Sequence, residues 1–160
     1  MIIESKAPTR VDFAGSTLDI WPLYLFHPGS VTLNAAISRY ASCVIETHAP
    51  WDERIKLVSQ DTKREESFAS LGALLKTKRY RLPLLAEIVK FFQPQGGFTL
   101  TTDSEAPNGA GIGGSSAMAV AICAALDRFT GAGKSKVDWI HISRDAEAIV
   151  INVPTGTQDH

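Results

Sequence analysis

Residues 107–118 read Pro-Asn-Gly-Ala-Gly-Ile-Gly-Gly-Ser-Ser-Ala-Met, and Pro107, Gly109, Gly111, Gly113, Gly114, Ser115 and Ser116 are spaced as a loop that could hold an anion. Glycine carries no side chain to keep a backbone from wrapping a phosphate. The long apolar helix pattern that follows brings unpaired N–H groups and a partial positive charge to the same point. ATP is the obvious ligand. The Ser115 hydroxyl then faces the phosphates within reach of a bound Mg²⁺, a cation that takes hard oxygen ligands, and Ser115 or Ser116 caps the helix. A flexible Gly/Ser connection with a serine cap is the plainer alternative. A plain linker, however, has no reason to concentrate glycines whose backbone entropy must be lost on folding.

Two familiar phosphate loops share letters with this one, and neither accounts for it. Gly109-x-Gly111-x-x-Gly114 satisfies the dinucleotide fingerprint literally, but that fingerprint needs an apolar strand running straight into its first glycine and an acidic residue about 20 positions on. Residues 103–107, Asp-Ser-Glu-Ala-Pro, intervene here, and Asp127 comes too early. Gly109-x-x-x-x-Gly114 opens like a P-loop, yet Ser115 stands where the lysine belongs. Phosphate must therefore be neutralised by backbone amides, a metal and cations from elsewhere in the chain.

Pro107, Gly111, Ile112, Gly113, Ser115 and Ala117 fit the pattern Pro-x-x-x-Gly-Leu-Gly-Ser-Ser-Ala. The stretch thus resembles the second motif of the GHMP kinases, the family of galactokinase, homoserine kinase, mevalonate kinase and sugar-phosphate kinases. Ser115 falls on that family's Mg²⁺-associated serine, and Gly114 replaces the serine before it. Residues 7–19, Ala-Pro-Thr-Arg-Val-Asp-Phe-Ala-Gly-Ser-Thr-Leu-Asp, resemble the first motif, in the version of heptose-phosphate and related sugar kinases. Arg10 and Asp19 fall on family positions that line the sugar and transferred-phosphate site, with Leu18 in place of the usual threonine. Glu147 and residues 154–159, Pro-Thr-Gly-Thr-Gln-Asp, resemble the helix and loop that carry the metal-binding glutamate and active-site aspartate.

The resemblance spans the chain and implies that residues 1–160 are a GHMP kinase N-terminal ATP-binding domain with a ribosomal-protein-S5-domain-2-like fold. Because family members continue into a second domain, it also implies an N-terminal half that stops inside the active site and lacks the C-terminal domain. Apolar surface uncovered in this way would favour oligomerisation, for instance as a homodimer. The implied reaction is transfer of the ATP γ-phosphate to a hydroxyl of a sugar or sugar phosphate. Such a transfer needs an aligned hydroxyl, a divalent cation bridging the phosphates and positive charge facing the transferred group. Asp159 and Arg10 would be the catalytic pair, Asp159 accepting the acceptor's proton or orienting its hydroxyl and Arg10 offsetting charge. Ser115 and Glu147 would hold Mg²⁺, while Asp19 and Arg10 would contact the sugar. Arg39 is a further candidate cation for a phosphorylated sugar.

Residue type alone also allows ordinary roles. Arg10 could face solvent from an alternating strand, Asp19 could cap the apolar run 20–26, and Glu147 shares a helix with Arg144 and Asp145 as on a solvated face. Asp159 could belong to a loose tail. Two other functional classes stand beside the kinase: a non-catalytic nucleotide- or sugar-binding fragment, and an NAD-dependent oxidoreductase, which would require nicotinamide binding.

Composition limits the partners. Sixteen basic and seventeen acidic residues leave a net charge of −1, which gives no general attraction to nucleic acid or anionic lipid. The cluster Lys76, Lys78, Arg79 and Arg81 reads as a solvated connection. Residues 117–126 are too few to cross a bilayer and read as a core helix. His27, His48, His141 and His160 show no metal-ligand spacing, nor do Cys43 and Cys123. The two cysteines read as buried thiols in a reducing compartment, and the absence of a secretory leader pattern points to the cytoplasm.

The elements that must position these residues follow from apolar spacing. Extended segments are expected at 2–6 and 9–14, a short helix after Asp19, and two paired strands at 31–37 and 41–47. Further strands fall at 54–59, 65–68 and around Phe98 and Leu100. Helical spacing covers 71–75, 84–92, 115–129 (ended by Gly131-Ala-Gly133) and 137–150. Strands first and helices after argue an α+β fold, a mixed β-sheet with helices packed on one face. The helix after the glycine loop would bury Ala117, Val120, Ala121 and Ala124 against that sheet.

Overall fold

The computed structural model describes residues 1–107 and 109–160, so Asn108 of the glycine loop lies outside the described residues. The chain begins with one long strand, β1 (Ile2–Ala14), antiparallel to an equally extended β2 (Leu33–Thr47). The two strands expected at 31–37 and 41–47 are therefore a single strand, and both halves pair with β1 rather than with each other. The physical reason lies in residues 38–40, Ser-Arg-Tyr, which supply no Gly, Pro or Asn to reverse the chain. β1 joins the segments expected at 2–6 and 9–14, with a register shift between Pro8 and Arg10. Pro8 has no N–H for the ladder, and the Thr9 hydroxyl donates to Arg39 O at 3.1 Å across the irregularity.

Between these strands lie a 3₁₀ turn (Ser16–Asp19) and the short α1 (Leu23–Phe26). The chain continues through β3 (Ile55–Ser59), β4 (Arg64–Phe68), α2 (Leu71–Lys76), α3 (Pro83–Phe92), β5 (Phe98–Ser104), α4 (Gly114–Thr130) and α5 (Lys136–Ile151). The sheet is five-stranded, in the order β1-β2-β5-β3-β4. Among the described residues only the β3–β5 pair is parallel, so the sheet is mixed and the fold is α+β.

One face of the sheet makes the core. Ile3, Ile45, Leu100 and Leu57 stand in register across four strands, and the last three are fully buried. Their sequence neighbours Val44, Thr101 and Val58 point the other way and are only half-buried, the alternation expected of a one-faced sheet. α4 lies on β1 and β2, and α3 and α5 lie on α4. The Ser5 hydroxyl donates to Ala121 O at 2.5 Å, pinning strand to helix. Ala117 and Ala121 are buried as expected, but Val120 and Ala124 are half-buried while Ala119, Ile122, Cys123, Ala125 and Leu126 are enclosed. α4 is wrapped by a sheet and two helices, so its buried positions run around most of its circumference and a single stripe does not describe it.

Cys43 and Cys123 are free thiols without solvent exposure. Burial pushes both up, Cys123 to about 12 with a further contribution from Asp127. No helix among the described residues is long and apolar enough to cross a membrane.

Two measurements check this packing. Leu100→Ala should lower stability in urea unfolding by about 2–5 kcal/mol, with Val44→Ala on the open face costing clearly less. The native chain should resist a thiol reagent at pH 8 and react at both cysteines once unfolded.

Candidate active site

The glycine loop leaves β5 and enters α4 under tight backbone control. Tyr40 and Glu105 fix its base: Glu105 N–H donates to Tyr40 O at 3.0 Å, and Tyr40 N–H donates to Glu105 Oε2 at 3.0 Å. Gly109, Gly111 and Gly113 have φ of 75°, 69° and 69°, the left-handed region where a β-carbon is strained. Gly113 is the N-cap of α4 and has no side chain to cap with. The expected serine cap is thereby corrected: Ser115 and Ser116 stand inside the first turn, two and three positions beyond a cap already taken by Gly113. The N–H groups of that turn have no intrahelical partner and sit at the positive end of a 17-residue helix.

A cleft of about 430 Å³ opens over this helix start. It is lined by Pro107 and residues 109–116 of the loop, by Ser59 and Asp61 at the end of β3, by Arg64 of β4, by Arg81 to Leu85 at the start of α3, and by Glu147 and Asp159. Arg81 belongs to the basic cluster read from sequence as a solvated connection; although exposed, it borders the cleft because Glu66 accepts the N–H groups of Arg81 and Leu82 at 3.1 and 2.9 Å.

Arg10 ties three parts of the chain together. Its backbone N–H donates to Ile112 O at 3.1 Å and its Nη1 to Gly111 O at 2.7 Å, so β1 holds the glycine loop twice. Its Nε donates to Asp159 Oδ1 at 2.9 Å, and Nη2 donates to the same oxygen. Asp12 Oδ1 also lies 3.2 Å from Nε. With its side chain 12% exposed, Arg10 is not the solvent-facing strand residue that alternation alone allows. Asp12 was missed by sequence reasoning, although its i+2 spacing from Arg10 puts the two on one strand face.

Asp19 does not cap the run that follows it, because Pro22 is the N-cap of α1. Its Oδ2 instead accepts the N–H groups of Thr157 and Gln158 at 2.6 and 3.0 Å. A second cleft of about 530 Å³ adjoins, lined by Leu18, Asp19, Tyr24, residues 30–32, Thr157 and Gln158. Arg39 is exposed on β2 and borders neither cleft.

Glu147 projects from α5, whose start is fixed by a capping box between Ser135 and Asp138. The Ser116 hydroxyl donates to Glu147 Oε2 at 2.9 Å, and the buried His160 Nε2 lies 3.1 Å from the same oxygen. Burial raises the Glu147 carboxyl, but the His160 ring and the Ser115 and Ser116 hydroxyls outweigh it and leave the group below its ordinary value. At 14% exposure Glu147 is not on a solvated face. Ser115, exposed at the cleft, and Glu147 form a hard-oxygen donor set. Among the described residues no three His, Cys, Asp or Glu side chains cluster as metal ligands. A small oxygen set of this kind fits Mg²⁺, which keeps several waters and takes one or two carboxylates plus substrate phosphates.

The structure therefore brings Arg10, Gly111 and Asp159 into contact and puts Ser115, Ser116 and Glu147 on the same cleft. Asp19 stands in the neighbouring one. Sequence comparison matches residues 79–160 to the family described as GHMP kinases N terminal domain. Along 96% of its length the chain is 31% identical to a galactokinase of Thermosipho africanus, covering 41% of that protein. Along 98% it is 29% identical to the D-glycero-alpha-D-manno-heptose 7-phosphate kinase of Campylobacter jejuni, covering 46%. Its fold superposes, with a TM-score of 0.81 and 26% identity, on a D-glycero-D-manno-heptose 1-phosphate kinase from Bacteriodes thetaiotaomicron, covering 99% of this chain and 52% of that one. The chain spans less than half the length of these curated relatives.

Arg10→Met leaves Asp12 and Asp159 without their shared cation. It should lower stability by about 1–3 kcal/mol in urea unfolding, whereas Arg39→Met on the exposed strand should change little.

Proposed function

The chain belongs to the GHMP kinase family, and on that premise we propose that it is the ATP-binding part of a kinase transferring the γ-phosphate of ATP to a hydroxyl of a sugar or sugar phosphate. The observation that carries this reading is the convergence of three elements on one cleft: the glycine loop with the α4 start, Glu147 of α5, and Asp159 fastened to Arg10. The similar proteins named as galactokinase and heptose-phosphate kinases support a sugar-type acceptor.

The residues divide the work. N–H groups of the loop and of the first turn of α4 would bind the phosphates, a task for which backbone donors at a helix start are suited. Ser115 and Glu147 would hold Mg²⁺, which when bound supplies charge neutralisation across the phosphates. Asp159 would orient the acceptor hydroxyl or take its proton. Oδ1 is engaged by Arg10, so Oδ2 is the oxygen for that step. Since the Arg10 guanidinium already faces Asp12 and Asp159, its main contribution is to align Asp159 against the loop. The buried Asp19 Oδ1 lacks a partner among the described residues and would accept from a sugar hydroxyl in the second cleft. Buried reduced thiols and the ATP requirement agree with a cytoplasmic setting.

A non-catalytic binding fragment is the second reading. It is favoured by the exposed Phe13, Trp21, Leu25, Phe26, Val31 and Leu33, apolar surface that a longer chain or a homodimer would cover. Mg-ATP consumption across a panel of sugars and sugar phosphates, compared between this chain and a version extended past His160, separates the two. Acceptor-dependent turnover that falls roughly 10²- to 10⁴-fold in Asp159→Asn is the expected result. Turnover indifferent to both sugar and Asp159 would sink the kinase mechanism, and nucleotide binding without turnover in either form would favour the fragment.

A further inference from the structure

Gly156 is pressed so closely against Asp19 that a β-carbon on it would lie 2.2 Å from Oδ1 and 2.3 Å from Oδ2. Only a residue without a side chain lets the loop backbone settle on that carboxylate. The next two peptide N–H groups, of Thr157 and Gln158, then both donate to Oδ2. Gln158 returns the contact: its side-chain amide donates to Ser16 O in the turn that carries Asp19, and its carbonyl accepts from Asn34 Nδ2 at 3.3 Å. The following residue is Asp159, held at its carboxylate by Arg10.

A carboxylate that served only to hold an acceptor hydroxyl would keep both oxygens for the cleft. In Asp19 one oxygen is taken by two main-chain donors, and hydrogen bonds to an ionised acceptor are the strong ones. Residues 153–156 carry no regular structure; besides the Asp19 contacts, Thr155 Oγ1 donates to Arg144 O at 3.1 Å. Arg10 fixes the Asp159 side chain, and Asp19 fixes the backbone immediately before it. From this we infer that Asp19, acting through Gly156, Thr157 and Gln158, is a positioning residue that sets where Asp159 stands over the cleft. What Asp159 does there rests on the kinase reading, whereas the latch is a property of the chain measurable without turnover.

The test is NMR on the full 160-residue chain with Asp19→Ala, Asp19→Asn and Gly156→Ala, reading amide exchange at Thr157 and Gln158 and the Nε–H resonance of Arg10. Asp19→Ala should speed exchange at the two amides about 10- to 100-fold. The Arg10 resonance should move in both alanine variants, while β5 amides keep their positions. Asp19→Asn, which retains one acceptor oxygen, should restore part of both signals. In the extended, active form the same alanine variants should lower kcat with KM for ATP unchanged. An Arg10 resonance unmoved in both alanine variants would overturn the inference, because Asp159 would then keep its place without Asp19. If Asp19→Ala does not fold, Gly156→Ala decides, since it leaves the carboxylate in place. Loss of turnover in the unsubstituted protein would count against the kinase reading and leave the NMR outcome to judge the latch.

Discussion

A single guanidinium holds the two ends of this chain against its glycine loop. Arg10 sits just past the register shift in β1 and reaches Asp159, 149 positions away, while also bonding Gly111. Removing a charge from water is costly unless partners replace the solvent, and around this guanidinium Asp12, Asp159 and the Gly111 carbonyl do so. The arrangement depends on the irregular strand: Pro8 contributes no N–H, the ladder slips, and the Arg10 N–H turns to Ile112 O. Loop, strand and terminal segment are therefore fixed relative to one another by electrostatics, since among the described residues none of them buries a large apolar side chain at this junction.

Beneath that junction lies α4, which serves the core and the cleft at once. Its body is enclosed between the sheet and two helices, and the many alanines along it let those neighbours approach closely. Its first turn, by contrast, opens on the cleft with a glycine for a cap. The end that opens on the cleft is thus held in place by packing at the other positions of the same helix. Rigid support of this kind suits a site whose donors are backbone N–H groups, because those donors have no rotamers with which to adjust.

Much of this was legible in the sequence, for identifiable reasons. The glycine spacing, the apolar run after it and the alternation in β3 and β5 are local signals, and the structure follows them. The continuity of β2 was not legible, because apolar spacing finds strands without saying where a chain turns, and the decisive point was the absence of turn chemistry at residues 38–40. The cap of α4 is Gly113 although Ser is the commoner cap, because an αL glycine two residues before Ser115 supplies the non-helical backbone of that position without a side-chain acceptor. Asp19 and Glu147 each had an ordinary surface reading. Partners 138 and 31 positions distant, which no local pattern reveals, removed it.

The lack of a lysine in the glycine loop becomes more pointed once the charges around it are placed. Arg10 is shared between two carboxylates, and Glu147, kept ionised by its neighbours, adds a third negative group. Backbone N–H groups can orient a polyphosphate but carry no net charge to offset it, and the helix terminus contributes only about 0.3–1 kcal/mol per interacting charge when exposed, up to about 2 when partly buried. Arg64 and Arg81 bring cations to the cleft from β4 and the start of α3, outside the motif itself. Under the kinase reading, a divalent cation would offset the repulsion between a nucleotide's phosphates and the carboxylates of Glu147 and Asp159. A lowered Glu147 carboxyl and an exposed Ser115 hydroxyl are the oxygens that would hold such a cation, so under that reading the acidic side of the cleft would answer for the missing lysine.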